Sequence, residues 1–189
     1  YWRTVGPRFL RGAKARRSAT ARARKAMQSQ EKPRLSEGNR RPAGCTLPVN
    51  AIVGTPSARA QTKSVLGHRW GLLPERSVEE AGEGFFVSTP EFCFLQMANR
   101  LSLARLIQLG CELCGTYAQQ DAGPAIRRDV ALTSVDRLRA FVEAAPGAYG
   151  RAKASRALRF VLDGAASPME TALVLLLCLP YRLGGYALE

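Results

Sequence analysis

The sequence predicts a mixed α+β protein, mostly α, in which a small β-sheet is followed by four or five helices. Three observations carry that reading. Large apolar residues are scarce up to about residue 42. Three short β-rich runs bounded by turn residues then occupy 49–87. From Thr89 onward, apolar residues recur at helical spacing behind recognisable N-terminal caps.

Charge divides the chain along the same lines. Residues 1–41 hold 13 Lys+Arg against 2 acids, and residues 42–189 hold 15 basic against 13 acidic residues. The basicity therefore belongs to the N-terminal stretch, with Arg11-Gly-Ala-Lys-Ala-Arg-Arg and Ala21-Arg-Ala-Arg-Lys as its densest parts. So few apolar groups cannot offset the entropy of ordering, and residues 1–42 are expected to be a disordered basic tail. Arg16, Arg17, Arg22, Arg24 and Lys25 are its candidate nucleic-acid contacts, because clustered cations displace counterions from phosphates. An organellar transit peptide, a tether to acidic membranes and a plain solvated tail fit the same composition.

Val49–Val53 reads as a first strand, closed by Gly54-Thr-Pro-Ser. Ser64–Trp70 reads as a second strand and Glu83–Val87 as a third. Thr89 caps a helix that Pro90 begins, with Glu91 in the first turn and Phe92, Leu95 and Met97-Ala98 inward. Ser102 starts a second helix, Leu103–Leu109, which Gly110 ends; Cys111–Tyr117 is then a turn and Gln119–Asp129 a loop. Thr133-Ser134 precede a third helix carrying Val135, Leu138, Phe141 and Val142, broken at Pro146-Gly147. Ala148–Arg156 is a basic linker or the start of a fourth helix, which bears Leu158, Val161 and Leu162 and stops at Asp163-Gly164.

The last helix has the clearest start. Ser167 suits the N-cap, Pro168 the first helical position, and Glu170 stands three residues after the cap, as in a capping box. Apolar residues then run to Leu179, where Pro180 blocks the helix. A helix this apolar needs cover on most of its surface, and no covering segment follows before Glu189. The expectation is a domain cut short, whose bare surface around Leu173–Leu179 promotes self-association.

Chemistry-bearing constellations are few. Five cysteines (Cys45, Cys93, Cys111, Cys114 and Cys178) are an odd number, three of them in apolar patterns, which favours a reducing, cytoplasmic compartment. Cys111-x-x-Cys114 supplies two of the four ligands of a zinc site and follows a helix rather than opening one, so packed thiols fit better than metal or redox chemistry. His68 is the sole histidine, with no nucleophile or carboxylate in motif spacing. Arg69 and Trp70 beside it fit a nucleic-acid contact or rim packing. No apolar run reaches the roughly 20 residues that span a bilayer, so no membrane partner is expected.

A wider pattern joins several of these pieces. Val87-Ser-Thr-Pro-Glu-Phe-Cys-Phe-Leu-Gln-Met-Ala, Ile107-Gln-Leu-Gly-Cys-Glu-Leu-Cys-Gly-Thr-Tyr, Leu132-Thr-Ser-Val, Asp163-Gly-Ala-Ala-Ser-Pro-Met-Glu-Thr and Leu183-Gly-Gly-Tyr occur in order. The pattern, over about residues 47–188, resembles a group of actinobacterial proteins related to AbiEi-type (abortive-infection, type IV toxin–antitoxin) regulators. Those proteins commonly end in a domain similar to very-short-patch-repair endonucleases, of the PD-(D/E)XK nuclease-like class. The resemblance implies three parts: the tail 1–42, a regulatory or leader domain 43–165, and 166–189 as the first helix of a truncated restriction-endonuclease-like α/β domain. It also implies that Glu170 matches the Glu on the opening nuclease helix, giving that residue a catalytic reading beside its capping one. The metal-binding Asp and the (D/E)XK pair would lie on strands after Glu189. One carboxylate cannot both hold a divalent ion and activate water, so this segment is expected to be inactive and to hold no cofactor, with any divalent metal belonging to the longer protein.

The resemblance thus implies the N-terminal part of an intracellular, DNA-directed bacterial protein with a nuclease-like C-terminus. The alternative is a non-enzymatic antitoxin-like or transcriptional regulator that binds DNA, a cognate toxin-like protein or another protein partner.

Overall fold

A computed structural model describes residues 13–27, 48–57, 61–82, 85–120 and 123–188. Among these residues the chain forms six α-helices and three two-stranded sheets, a mixed α+β fold that is mostly helical, as predicted. It divides into two compact units, Tyr1–Thr89 and Pro90–Glu189. The expected boundaries stood elsewhere, after residues 42 and 165.

The first unit corrects the reading of the basic stretch. Ala13–Met27 is a helix, α1, where disorder was expected. Its order comes from a partner that the sequence did not reveal, strand β3 (Val78–Gly82), on which it packs. Ala19, Thr20 and Ala23 are buried on the contact face, and Thr20 Oγ1 accepts a hydrogen bond from Val78 N at 3.3 Å. Small residues at these positions let the helix lie close, and the flanking arginines meet the acids of β3. The rest of the expected tail, residues 1–12 and 28–42, lies outside the described residues, as does Cys45.

Strand β1 (Val49–Val53) pairs in parallel with β2 (Val65–Arg69), Val49 opposite Val65 and Val53 opposite Arg69. Strand β3 pairs antiparallel with β4 (Phe85–Ser88), so the expected single sheet is two small ones. Thr89 ties the end of β4 back to the approach to β3: its N donates to Ser77 O at 2.8 Å, and its hydroxyl points to the carbonyls of Arg76 and Ser77.

The second unit is built around one helix. α2 (Pro90–Met97) leads to α3 (Leu103–Cys114), and α3 packs against α2, α5 (Arg151–Ala157) and α6 (Pro168–Cys178). α4 (Val135–Glu143) closes the other side of α2 and α5. The core joins Phe92, Phe94 and Leu95 of α2, Leu106, Ile107 and Leu113 of α3, Leu138 and Val142 of α4, and Ala154 and Ala157 of α5. Phe92 and Phe141 meet at a ring-centroid distance of 6.1 Å. Short strands β5 (Tyr117–Ala118) and β6 (Ile126–Arg127) form a small hairpin after α3, within the stretch expected to be a turn and loop.

Two helix boundaries differ from expectation for physical reasons. Gly110 does not end α3, because it serves packing: a Cβ there would stand 2.5 Å from Val161 Cγ2 and 3.2 Å from Phe94 Cε2. The helix therefore runs a further turn, to Cys114. α5 starts at Arg151, after Gly150 takes a left-handed φ of 90°, and is over by Leu158. Leu158 and Val161 are buried from the loop after the helix rather than from its face. Asp163, expected at a helix end, has its carboxylate accepting from Val135 N at 2.9 Å, the first residue of α4.

Candidate functional site

Helix α6 is fixed at both ends by its own neighbours. The Ser167 hydroxyl accepts from Glu170 N at 3.2 Å, and Pro168 opens the helix. Glu170 Oε2 accepts from Ala166 N at 2.8 Å, so the capping box closes one residue earlier than the usual pattern. At the other end, Leu179 is extended, Tyr181–Leu183 makes one 3₁₀ turn, and Gly184 takes φ 87°. The chain then doubles back, with Tyr186 N, Leu188 N and Ala187 N donating to the carbonyls of Leu176, Leu177 and Leu179. Those carbonyls would otherwise lack partners at a helix end.

One face of α6 is used inside the unit. Thr171, Leu175 and Leu179 are buried at spacings of four, and Thr171 Oγ1 lies 2.9 Å from the Tyr117 hydroxyl. The opposite face carries Met169, Leu173 and Leu176, which are 77%, 56% and 46% exposed. Tyr181, Tyr186 and Leu188, in the segment that follows the helix, are exposed as well. A well-capped helix with a continuous outward apolar stripe has the form of a contact surface.

Glu170 lies at the start of this helix, exposed, with one carboxylate oxygen in the cap. Among the described residues no three His, Cys, Asp or Glu side chains gather as a metal-holding group. The set around Glu170 therefore does not fit a divalent ion, and no hydrolytic step follows from it.

The basic candidates all lie in the first unit, and four of the six make contacts within it. Arg16 Nε stands 3.4 Å from Glu79 Oε2, both side chains only 6% exposed. Arg17 faces Glu75 at 3.8 Å, and Arg22 Nη2 meets Glu80 Oε2 at 2.9 Å while its guanidinium lies 5.5 Å over the Phe86 ring. Arg24 donates twice to Leu73 O, at 3.0 and 2.6 Å. Lys25 and Arg69 are exposed. A nucleic acid approaching α1 would compete with Glu75, Glu79 and Glu80. His68 Nε2 lies 2.6 Å from Asn50 Oδ1 across the parallel pair, and Trp70 Nε1 donates to Leu72 O at 3.0 Å.

Cys111 and Cys114 share the last turn of α3 and are buried. Burial pushes both thiols above their ordinary value of 9.0, and the nearby charge of Asp163 adds to the rise. Thiols held protonated in this way are poor nucleophiles and poor metal ligands. Cys178 is exposed and Cys93 half-buried.

Sequence reasoning missed two polar groups, one buried and one half-buried. Glu91, 4% exposed, accepts from the Thr133 hydroxyl and from Arg137 Nη2, each at 2.7 Å. Its place in a first helical turn was visible, but the loop that delivers Thr133 was not. Arg128 donates to Glu112 O and Gly115 O at the end of α3, where a cation suits the helix dipole, and burial draws its guanidinium below the ordinary range. The Glu112 carboxylate accepts from Gln119 N at 3.0 Å. Glu91 ties α2 to α4, Arg128 and Glu112 fasten the end of α3, and none of the contacts described aligns a nucleophile with a base.

No family model, curated protein or solved structure matches the chain. No helix among the described residues is long and apolar enough to cross a membrane.

Proposed function

We propose that this chain is a non-enzymatic binding module that docks a protein partner on the outward face of α6. The observation that carries the reading is the stripe Met169, Leu173 and Leu176, exposed on a helix capped at both ends. Such a face fits the apolar side of another helix or a hydrophobic groove. The contacts of Arg16, Arg17, Arg22 and Arg24 inside the first unit favour this over nucleic-acid binding through α1.

The test is environment-sensitive dye binding by the full chain and by Leu173→Glu, with circular dichroism to confirm the fold. The module reading expects the dye signal to drop in the variant with helicity unchanged. Equal dye binding by the two folded proteins overturns it. DNA binding is checked by anisotropy of a labelled duplex in a salt series. Salt-dependent binding that Lys25→Ala and Arg69→Ala weaken would support the regulator reading through DNA instead. The nuclease-leader reading stays with the resemblance, and its test is metal-dependent DNA cleavage by a chain that also carries the carboxylate strands.

A further inference from the structure

Between Gly164 and Leu188 the sequence holds two charged residues, Glu170 and Arg182. They have opposite sign and lie toward the two ends of the apolar stripe: Glu170 beside Met169 in the first turn of α6, Arg182 in the 3₁₀ turn just past its end, both exposed. A surface with an acid at one end and a base at the other is complementary to itself reversed. We infer that the outward face of α6 pairs antiparallel with the same face of a second copy of this chain, which deepens the module reading above and rests on it.

The geometry of a two-fold axis makes the case. With the two-fold axis perpendicular to α6 the contact turns the helix end for end, so Glu170 of each copy meets Arg182 of the other while Met169, Leu173 and Leu176 share the seam. Parallel pairing sets Glu170 against Glu170 and Arg182 against Arg182, two like-charge contacts that oppose it. The stripe sits at spacings of four and three, i to i+4 to i+7, the spacing by which two helices interlock. Tyr181 and Tyr186, 76% and 55% exposed, supply aromatic rims of the kind enriched in interfaces.

The experiment is sedimentation equilibrium of the full chain over a concentration series, with Arg182→Glu, Glu170→Arg and the double reversal. The wild type is expected to dimerise and stop there. Arg182→Glu should weaken the dimer roughly tenfold, since each reversal replaces two attractive rim contacts with two repulsive ones. The double reversal restores the pairing and should recover the dimer, which a merely sticky surface would not do. Glu170→Arg also removes a helix cap, so circular dichroism accompanies it and Arg182→Glu carries the single-variant result. A monomer at every concentration, open-ended association, or a double variant no tighter than Arg182→Glu overturns the inference. Dye binding separates the two failures: a monomer whose dye signal falls in Leu173→Glu keeps the docking face and loses self-pairing, whereas a monomer with no change loses both.

Discussion

Helices α3 and α6 are both rich in leucine, and they end up in opposite circumstances. α3 buries nine of its residues, from Leu103 to Cys114, whereas α6 buries only Thr171 and Leu175. Composition does not separate them. Position does: α3 has α2, α5, α6 and β5 packed around it, and α6 touches the unit mainly through α3. Apolar character sets how much a helix gains from being covered, and topology decides whether the cover is there.

The sharpest way to break this contrast is to truncate one leucine on each helix. Leu106→Ala should cost about 2–5 kcal/mol of unfolding free energy in urea, as buried leucines do. Leu173→Ala should cost about 0.5 kcal/mol or less when measured dilute. Equal losses would mean that α6 is covered as fully as α3. Second in size is Glu91→Ala on the neighbouring helix, which leaves the buried Thr133 hydroxyl without its acceptor and should cost about 1–3 kcal/mol. A loss near zero would show that water takes the place of the carboxylate.

The thiols of α3 give the contrast a pH signature. Below the ordinary thiol value of 9.0, Cys111 and Cys114 are protonated whether the chain is folded or not. As pH rises past that value, the unfolded thiols ionise while the buried ones keep their protons. Stability is therefore complete below it and is lost as pH climbs toward the raised folded values, by up to about 1.4 kcal/mol per pH unit for each thiol. Urea midpoints in an alkaline series measure the slope, which Cys111→Ala and Cys114→Ala should flatten. Among the described cysteines, exposed Cys178 should react fastest with a disulfide reagent. A more modest effect than at Leu106 is expected at Gly110. Alanine there gains helix propensity of about 1 kcal/mol and loses more to its clash with Val161, for a net cost of about 1 kcal/mol.

Much of this was legible in the sequence, where local chemistry decides the outcome. The caps at Ser102, Ser134 and Ser167 each accept the hydrogen bond that their spacing implies. Strands β1, β2 and β4 lie within a residue or two of the runs that predicted them. What stayed hidden depends on residues distant in the chain. Val78-Glu-Glu-Ala looks too polar for a strand and Ala13–Met27 too charged for an ordered helix, yet each supplies what the other lacks. They had to be recognised together or not at all. Gly110 misled for a related reason, since glycine after an apolar helix signals a stop unless a side chain some fifty positions later needs the space. The outward face of α6 could be anticipated from its composition, whereas the face it turns inward, through Thr171 and Tyr117, could not.

The close approach at Gly110 also binds the history of two positions. Val161 branches at its β-carbon, so it cannot swing aside cheaply to admit a methyl group. A lineage that drifts to alanine at 110 keeps its fold most easily by shrinking 161 as well, and a larger residue at 161 would be tolerated only while glycine persists. Reciprocal substitution at these two sites is the trace this packing would leave in a set of descendants.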